Sequence, residues 1–327
     1  MDQRIVDKLS GTGLLTQESR DKLQQPRLFS IHWEVNTLLY LGVLLLSGGL
    51  GILVYKNIDT IGHQAILLLI GLTCGLCFMY AYKKKRPFSR HKVLAPNVGW
   101  DYVVLLGCLL FITFVTYLQA QYNVFGTRYG SATFIPMLVL LFSAYYFDHL
   151  GVLSLAITNF AAWMGIAITP YEILTSNHFN TDTRLIFTGI LLGVILIAAG
   201  YLSEYFDFKK HFTFTYDNFG VHILFISLLA GMFVMPSYFF FFLGLLAFSA
   251  FCYWQSKKRR SFYFMMITTL YLYIALGYLV IRMLFFSGGS ADPIGALYLA
   301  LFYFIGSAVA MVLFLIRQNK KLKHDRI

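Results

Sequence analysis

The sequence predicts an all-α protein, a polytopic bundle of about ten membrane-spanning helices with both termini in the cytoplasm. Three observations lead to this fold class. Of the 327 residues, 58% are hydrophobic and the mean hydropathy is +0.67. Only 13% are charged, whereas about 25% is usual in a soluble domain. The basic residues, finally, fall almost entirely into alternate gaps between the apolar stretches.

The apolar stretches give the positions of the spans. A helix needs roughly 20 apolar residues to cross a hydrocarbon core about 30 Å thick. Two of the stretches, 132–147 and 219–235, are short and would suit a tilted or locally thin arrangement. In order, the predicted spans lie near residues 35–55, 65–82, 101–119, 132–147, 150–168, 185–205, 219–235, 237–254, 262–286 and 294–317.

The distribution of lysine and arginine predicts the orientation, because basic loops stay on the cytoplasmic side. The gaps between spans alternate between the two sides of the membrane. On the side predicted to be non-cytoplasmic, the basic residues are Lys56, Arg128 and Arg184, and Arg282 lies inside the ninth span. This asymmetry predicts a multi-pass membrane protein with an even number of spans and both termini in the cytoplasm. The remaining basic residues cluster at 4–27, 83–92, 209–210, 257–260 and 317–326.

The net charge of +11 has the same explanation. On a soluble protein it would suggest nucleic acid as a partner. Here the basic clusters flank apolar helices, so the expected partners are the lipid bilayer and the anionic phospholipid headgroups of its cytoplasmic leaflet. We expect no nucleic acid partner.

Two short interruptions decide the number of spans. Read as one helix, residues 132–168 would be about 55 Å long, far more than a bilayer requires. Asp148-His149 therefore reads as a tight turn, and Pro236-Ser237 separates the seventh span from the eighth, with Ser237 as a helix cap. Asp101 is the expected cap of the third span.

The polar parts of the chain are small. They divide it into a cytoplasmic N-terminal helical segment at 1–34, a transmembrane bundle at 35–317 and a basic cytoplasmic tail at 318–327. The N-terminal segment is either a helical hairpin on the membrane surface, capped at Thr16, or a frayed amphipathic tail. The sequence carries no phosphate-binding loop, and we assign no catalytic residue, metal site or cofactor.

One cysteine pair resembles a redox or zinc motif. Cys74 and Cys77 have the CxxC spacing. They lie in the second span beside Gly71 and Gly75, where small residues allow two helices to approach closely. We therefore predict a helix–helix contact at this position.

A few polar residues remain once topology is accounted for. Ionisable groups inside a membrane commonly mark a substrate path, and on that basis the candidate path runs from Asn159 to Glu204, Asp217 and His222. The alternatives are an interhelical hydrogen bond for Asn159 and interfacial charges that meet water for the other three.

Three features mark the start of the chain. They are the Gly13-Leu14-Leu15-Thr16 turn, the glycine-rich span from Tyr40 to Lys56, and Asn57-Ile58-Asp59. Over about residues 5–75 they resemble a family of bacterial predicted membrane proteins, domain of unknown function 2157, which has tryptophan in the middle position of the last motif. The resemblance implies a polytopic inner-membrane protein, with Asn57 and Asp59 as family-motif positions. An ordinary turn, in which both side chains bond the backbone, is the alternative for this pair.

Three functions are compatible with these features. The first is a small-solute transporter or transport accessory, since nearly all of the chain is membrane-embedded. The second is a membrane-embedded enzyme acting on a lipid or lipid-linked substrate, which requires Asp148, His149, Glu204 and His222 to converge. The third is a non-catalytic scaffold or assembly subunit that binds a partner through the N-terminal segment.

Overall fold

A computed structural model describes residues 32–56, 62–126, 129–165, 183–286 and 293–324. All regular secondary structure in these described residues is helical, and nine of the helices are long and apolar enough to cross a membrane. The predicted fold class, an all-α polytopic helical bundle, is thus confirmed, while the cytoplasmic placement of both termini stays a prediction. The helices are α1 His32–Lys56, α2 His63–Lys84, α3 Val98–Tyr122, α4 Tyr129–Phe147, α5 Leu150–Trp163, α6 Thr183–Tyr205, α7 Thr213–Val234, α8 Tyr238–Lys258, α9 Phe262–Phe286 and α10 Pro293–His324, with a 3₁₀ turn at Lys210–Phe212 before α7.

Two helices differ in length from their predicted spans. Helix α5 ends at Trp163 after 14 residues, which is shorter than the roughly 20 residues that a simple span needs. Helix α7 begins at Thr213 rather than near 219 and has 22 residues, so the prediction of a short seventh span was wrong. The polar residues Asp217 and Asn218 misplaced that boundary, because they lie inside the helix.

Both predicted breaks are present. Asp148 adopts a left-handed conformation with φ of 58°, and His149 caps α5 by accepting the Val152 N–H at Nδ1 over 3.2 Å. Ser237 precedes α8 but makes no side-chain capping bond. The expected cap at Asp101 was wrong, since α3 starts earlier and Asn97 Oδ1 accepts the Trp100 N–H over 2.7 Å.

The described chain forms two compact units, and the first comprises α1, α2 and α3 as far as Phe114. In this unit Cys74 Sγ donates to the Gly107 carbonyl of α3 over 3.4 Å. A Cβ placed on Gly107 would lie 3.0 Å from Cys77 Cβ. The CxxC pair is thus a contact between α2 and α3, as predicted, with both thiols free and buried.

The second unit comprises residues 85–96 and the described residues from Val115 onward. Its core surrounds α7, the most buried of the nine long helices, with Phe225 and Met232 fully enclosed. Helix α7 packs most closely against α6. The two backbones almost touch where Gly193 faces Gly220 and Leu224, so a Cβ on Gly193 would lie 2.8 Å from Leu224 Cβ and 3.0 Å from its backbone nitrogen.

Replacing Gly193 with alanine should therefore force α6 and α7 apart. We expect the Gly193→Ala variant to lose about 1–3 kcal/mol of free energy of unfolding, the usual range for overpacking. The measurement is unfolding of the purified protein in mixed micelles. Gly75→Ala is the matched control, because nothing lies within 4 Å of that Cβ position. Equal stability of the two variants would show that the α6–α7 contact is looser than described.

Candidate functional site

Three charged side chains join the ends of α6, α7 and α8. Arg259, the residue after α8, donates one guanidinium nitrogen to Asp217 in α7 and another to Glu204 at the end of α6. The exposed fraction is 27% for the Arg259 side chain, 39% for Glu204 and 8% for Asp217. Hydrogen bonds between ionised partners are roughly twice as strong as neutral ones. Arg259 thus holds three helix ends together, and with both acids ionised the cluster carries one net negative charge.

The position of Asp217 depends on a glycine in the neighbouring helix. Its Oδ1 lies 2.7 Å from the point where a Cβ on Gly200 would be, and Tyr216 Cβ lies 3.3 Å from that point. A larger residue at position 200 would therefore displace the carboxylate from Arg259. The close approach of α6 and α7 begins at Gly193 and extends to the charged cluster.

A cleft opens beside this cluster. Its rim is polar and its walls are apolar, with three phenylalanines among them. Ligand sites in proteins have this character, an apolar pocket with a few placed polar groups. The rim consists of Asp217, Gln255, Ser256, Arg259 and Ser261, and the walls of Ile197, Val221, Phe248, Phe251, Cys252 and Phe264.

A buried hydroxyl lies one turn from the cleft along α8. Ser249 is 3% exposed, and its Oγ has no hydrogen-bond partner among the described residues. Buried serines usually bond to a carbonyl of their own helix, as Ser256 does to Cys252 over 2.6 Å. Ser249 shares a helix face with Cys252 and Ser256, because it precedes them by three and seven residues.

A second charged cluster fixes the loop between α2 and α3. The Asp148 carboxylate forms an ion pair with Lys209 Nζ at 2.9 Å, and its other oxygen is hydrogen-bonded to His211 Nε2 over 2.5 Å. Its side chain is 3% exposed and that of Lys209 is 1% exposed. Burying a charge is unfavourable unless a partner is present, so Asp148 and Lys209 depend on each other.

The loop itself completes this cluster. The Val93 N–H donates to Asp148 Oδ2 over 2.5 Å, and the Lys209 N–H donates to the Arg90 carbonyl over 2.8 Å. Lys209 Nζ also lies 5.0 Å from the centre of the Phe88 ring. Residues 88–93 are therefore held against the turns that precede α5 and α7.

The structure links two of the four predicted path residues through a common partner. Glu204 and Asp217 share Arg259. His222, further along α7, hydrogen-bonds the Tyr271 hydroxyl over 2.8 Å. The Asn159 amide donates to the Leu155 carbonyl of its own helix over 3.0 Å, whereas the alternative expected an interhelical bond.

Other sequence-derived positions are less informative here. The family-motif positions Asn57 and Asp59, and nearly all of the segment 1–34, lie outside the described residues. In the part that is described, no three His, Cys, Asp or Glu side chains lie together as metal ligands. The acids and histidines named for an enzyme bond to different partners, since Asp148 bonds Lys209, Glu204 bonds Arg259 and His222 bonds Tyr271.

The sequence did not identify the two cations on which the charged clusters depend. Lys209 and Arg259 counted only as members of basic clusters, next to the exposed Lys210 and Arg260. Their pairing depends on long-range contacts, because Asp148 and Lys209 lie 61 residues apart in the chain and Glu204 and Arg259 lie 55 residues apart. Locally, Lys209 differs from its neighbour in its left-handed backbone, with φ of 51°. That conformation cannot be predicted from the sequence.

Comparison with known families supports the resemblance at the start of the chain. Residues 2–153 match the family described as Predicted membrane protein (DUF2157). The match confirms the resemblance and extends it beyond residue 75, through α1 to α4 and into α5. The matched segment includes Asp148, whereas every residue that lines the cleft lies after residue 153. No curated protein and no solved structure matches the chain.

Removing one charge of the buried pair should release the loop. We expect Lys209→Met to lower the free energy of unfolding by about 3–5 kcal/mol, because Asp148 is left buried and unpaired. Trypsin should then cleave faster at Arg90 and Lys92. The double variant Asp148→Asn/Lys209→Met should recover part of the stability.

The control for that experiment is an exposed contact between a histidine and a carboxylate in the same region. His91 and Asp207 lie 3.9 Å apart with side chains 76% and 60% exposed. Exposed pairs contribute little, so His91→Ala should leave the stability nearly unchanged. A Lys209→Met variant as stable as His91→Ala would contradict a structural role for the buried pair.

Proposed function

We propose that this chain is a multi-pass protein of the bacterial cytoplasmic membrane that moves, or helps to move, a small solute. The cleft beside Arg259 is the proposed solute-binding site. The observation that carries the proposal is the cleft itself, a concave apolar site with a charged rim between α6, α7, α8 and α9. Helical bundles build ligand sites from facing helices in this way.

The proposed path begins at the rim and continues into the membrane. Glu204 and Asp217 form its charged entrance with Arg259. His222 follows the cleft residue Val221 along α7 and forms a polar pair with Tyr271. Asn159 in α5 is the deepest polar position of the path that we propose. Polar and ionisable groups at such depths are unfavourable in lipid, which is why they commonly serve a substrate.

The proposed orientation places this entrance in the cytoplasm. Residues 85–92 and 257–260 belong to the basic loops that the sequence assigns to the cytoplasm, and most of their basic side chains are exposed. Lys257 and Lys258 lie 4.9 Å and 5.6 Å from the ring centres of Tyr253 and Trp254. Aromatic rings and lysines are typical of the membrane interface. Anionic phospholipid headgroups are the proposed partners of these lysines.

A pair of cysteine reporters tests the orientation. In a chain whose four native cysteines are replaced by alanine, Arg86→Cys lies in the basic loop and Val124→Cys in the loop after α3. We expect a membrane-impermeant maleimide to label Arg86→Cys only in inverted vesicles and Val124→Cys only in intact spheroplasts. The reverse pattern would show that the cleft opens on the outer side.

A second set of reporters tests whether the path is accessible to water. Gln255→Cys lies in the cleft rim, and Asn159→Cys lies at its proposed deep position. We expect the impermeant reagent to label Gln255→Cys from the side of the basic loops and Asn159→Cys from at least one side of the membrane. Labelling of neither position would mean a dry bundle and would reject solute movement along this path.

A further inference from the structure

We propose that Arg282 in α9 binds the phosphate group of an anionic phospholipid. Helix α8 runs from Tyr238, which contacts Arg282, to Lys258 beside the cleft, so the lipid site and the cleft lie at opposite ends of this helix. The proposal is independent of solute movement and concerns the leaflet opposite the basic loops.

Two tyrosines hold the guanidinium of Arg282 in place. Its Cζ lies 4.0 Å from the centre of the Tyr238 ring, and Nη1 donates to the Tyr278 hydroxyl over 2.9 Å. Tyr278 precedes Arg282 by four residues and thus lies one turn further inside the span. An arginine that only snorkels extends freely toward water, whereas this side chain is anchored to two aromatic residues.

The counter-charge of Arg282 is not found among the described residues. No ion pair joins Arg282 to a carboxylate in that part of the chain. An arginine within a membrane helix needs a partner for its charge, and we assign that partner to the bilayer. The described carboxylates of the second unit lie at its other end, near the start of α7, and they are Asp148, Glu204, Asp207 and Asp217.

The anchored guanidinium keeps donors for a ligand. A guanidinium has five N–H donors in one plane. Stacking on the Tyr238 ring uses its face, and the hydroxyls of Tyr278 and Tyr238 are the acceptors that the described residues supply. The remaining N–H groups form the planar fork that binds two oxygens of a phosphate at once.

The position of Arg282 favours a phosphate that is attached to acyl chains. Arg282 lies four residues before the end of α9 at Phe286, which is about 6 Å along the helix axis and suits the level of the headgroups. Its neighbours Ile281, Met283 and Phe285 are exposed apolar side chains, so they face the lipid. A zwitterionic headgroup brings its own cation to the phosphate, whereas an anionic headgroup leaves its charge for Arg282.

Nitroxide-labelled lipids test this preference beside Arg282. The full chain, with its four native cysteines replaced by alanine, carries a bimane fluorophore at Phe285→Cys, three residues from Arg282 on the same helix face. The protein is placed in nanodiscs of dioleoylphosphatidylcholine that contain a minor fraction of nitroxide-labelled phosphatidylglycerol or phosphatidylcholine. We expect phosphatidylglycerol to quench the fluorophore with roughly tenfold higher apparent affinity, the effect of one charged hydrogen-bonded contact.

Four variants show whether Arg282 causes the preference. Arg282→Gln should abolish it. Arg282→Lys keeps the charge without the planar fork and should retain roughly threefold, whereas Tyr238→Phe keeps the aromatic ring and should retain the full effect. Arg184→Gln is the matched control and should also retain it. Arg184 lies at the same end of the unit, because its neighbour Thr183 contacts Met235 after α7.

A free anion is distinguished from a lipid by the buffer. Sodium phosphate in place of sodium chloride, at equal ionic strength, should leave the preference for phosphatidylglycerol unchanged. Loss of the preference in phosphate alone would overturn the lipid assignment in favour of a soluble anion.

Other results would also contradict the proposal. They are equal quenching by both lipids in the unsubstituted chain, an unchanged preference in Arg282→Gln, and an equal loss in Arg184→Gln. If Arg282→Gln does not fold, Arg282→Lys decides, because a full tenfold preference in that variant would exclude recognition by the guanidinium fork.

Discussion

The need to neutralise buried carboxylates organises one end of the second unit. Asp217 is matched by Arg259 and Asp148 by Lys209, and in each case the cation comes from a distant part of the chain. An unpaired charge in these positions would cost several kcal/mol. The pairs therefore determine where the helix ends lie and where residues 88–93 lie. Arg259 in particular is kept at the rim of the cleft, because it serves α6 and α7 together.

The glycines of α6 and α7 make this arrangement possible. In lipid there is no hydrophobic driving force for helices to associate. Close packing of the backbones and polar contacts must therefore hold them together. Gly193 and Gly220 allow the approach, and Gly200 leaves the space that the Asp217 carboxylate fills. A bulkier residue at position 200 would separate the acid from Arg259 and change the charge of the rim. Packing and electrostatics are thus two aspects of one contact.

The helices were largely predictable, whereas the charged clusters were not. Hydropathy identified the helices because a span must satisfy its backbone internally and be long enough for the bilayer. Basic-loop alternation separated α4 from α5 and α7 from α8. The same rule treated Lys209 and Arg259 as ordinary cytoplasmic charges, because in a sequence they look the same as Lys210 and Arg260. Only the tertiary contacts distinguish the buried or bridging cation of each pair from its exposed neighbour.

The Asp148–Lys209 pair also relates the family-matched segment to the cleft. Asp148 lies within residues 2–153, and Lys209 lies between two of the helices that enclose the cleft, beyond the match. A chain that buries an acid at this turn must supply a cation to it, because hydration is not available there. The segment between α6 and α7 supplies this cation as Lys209. The same segment leads into α7, the helix that carries Asp217 into the cleft.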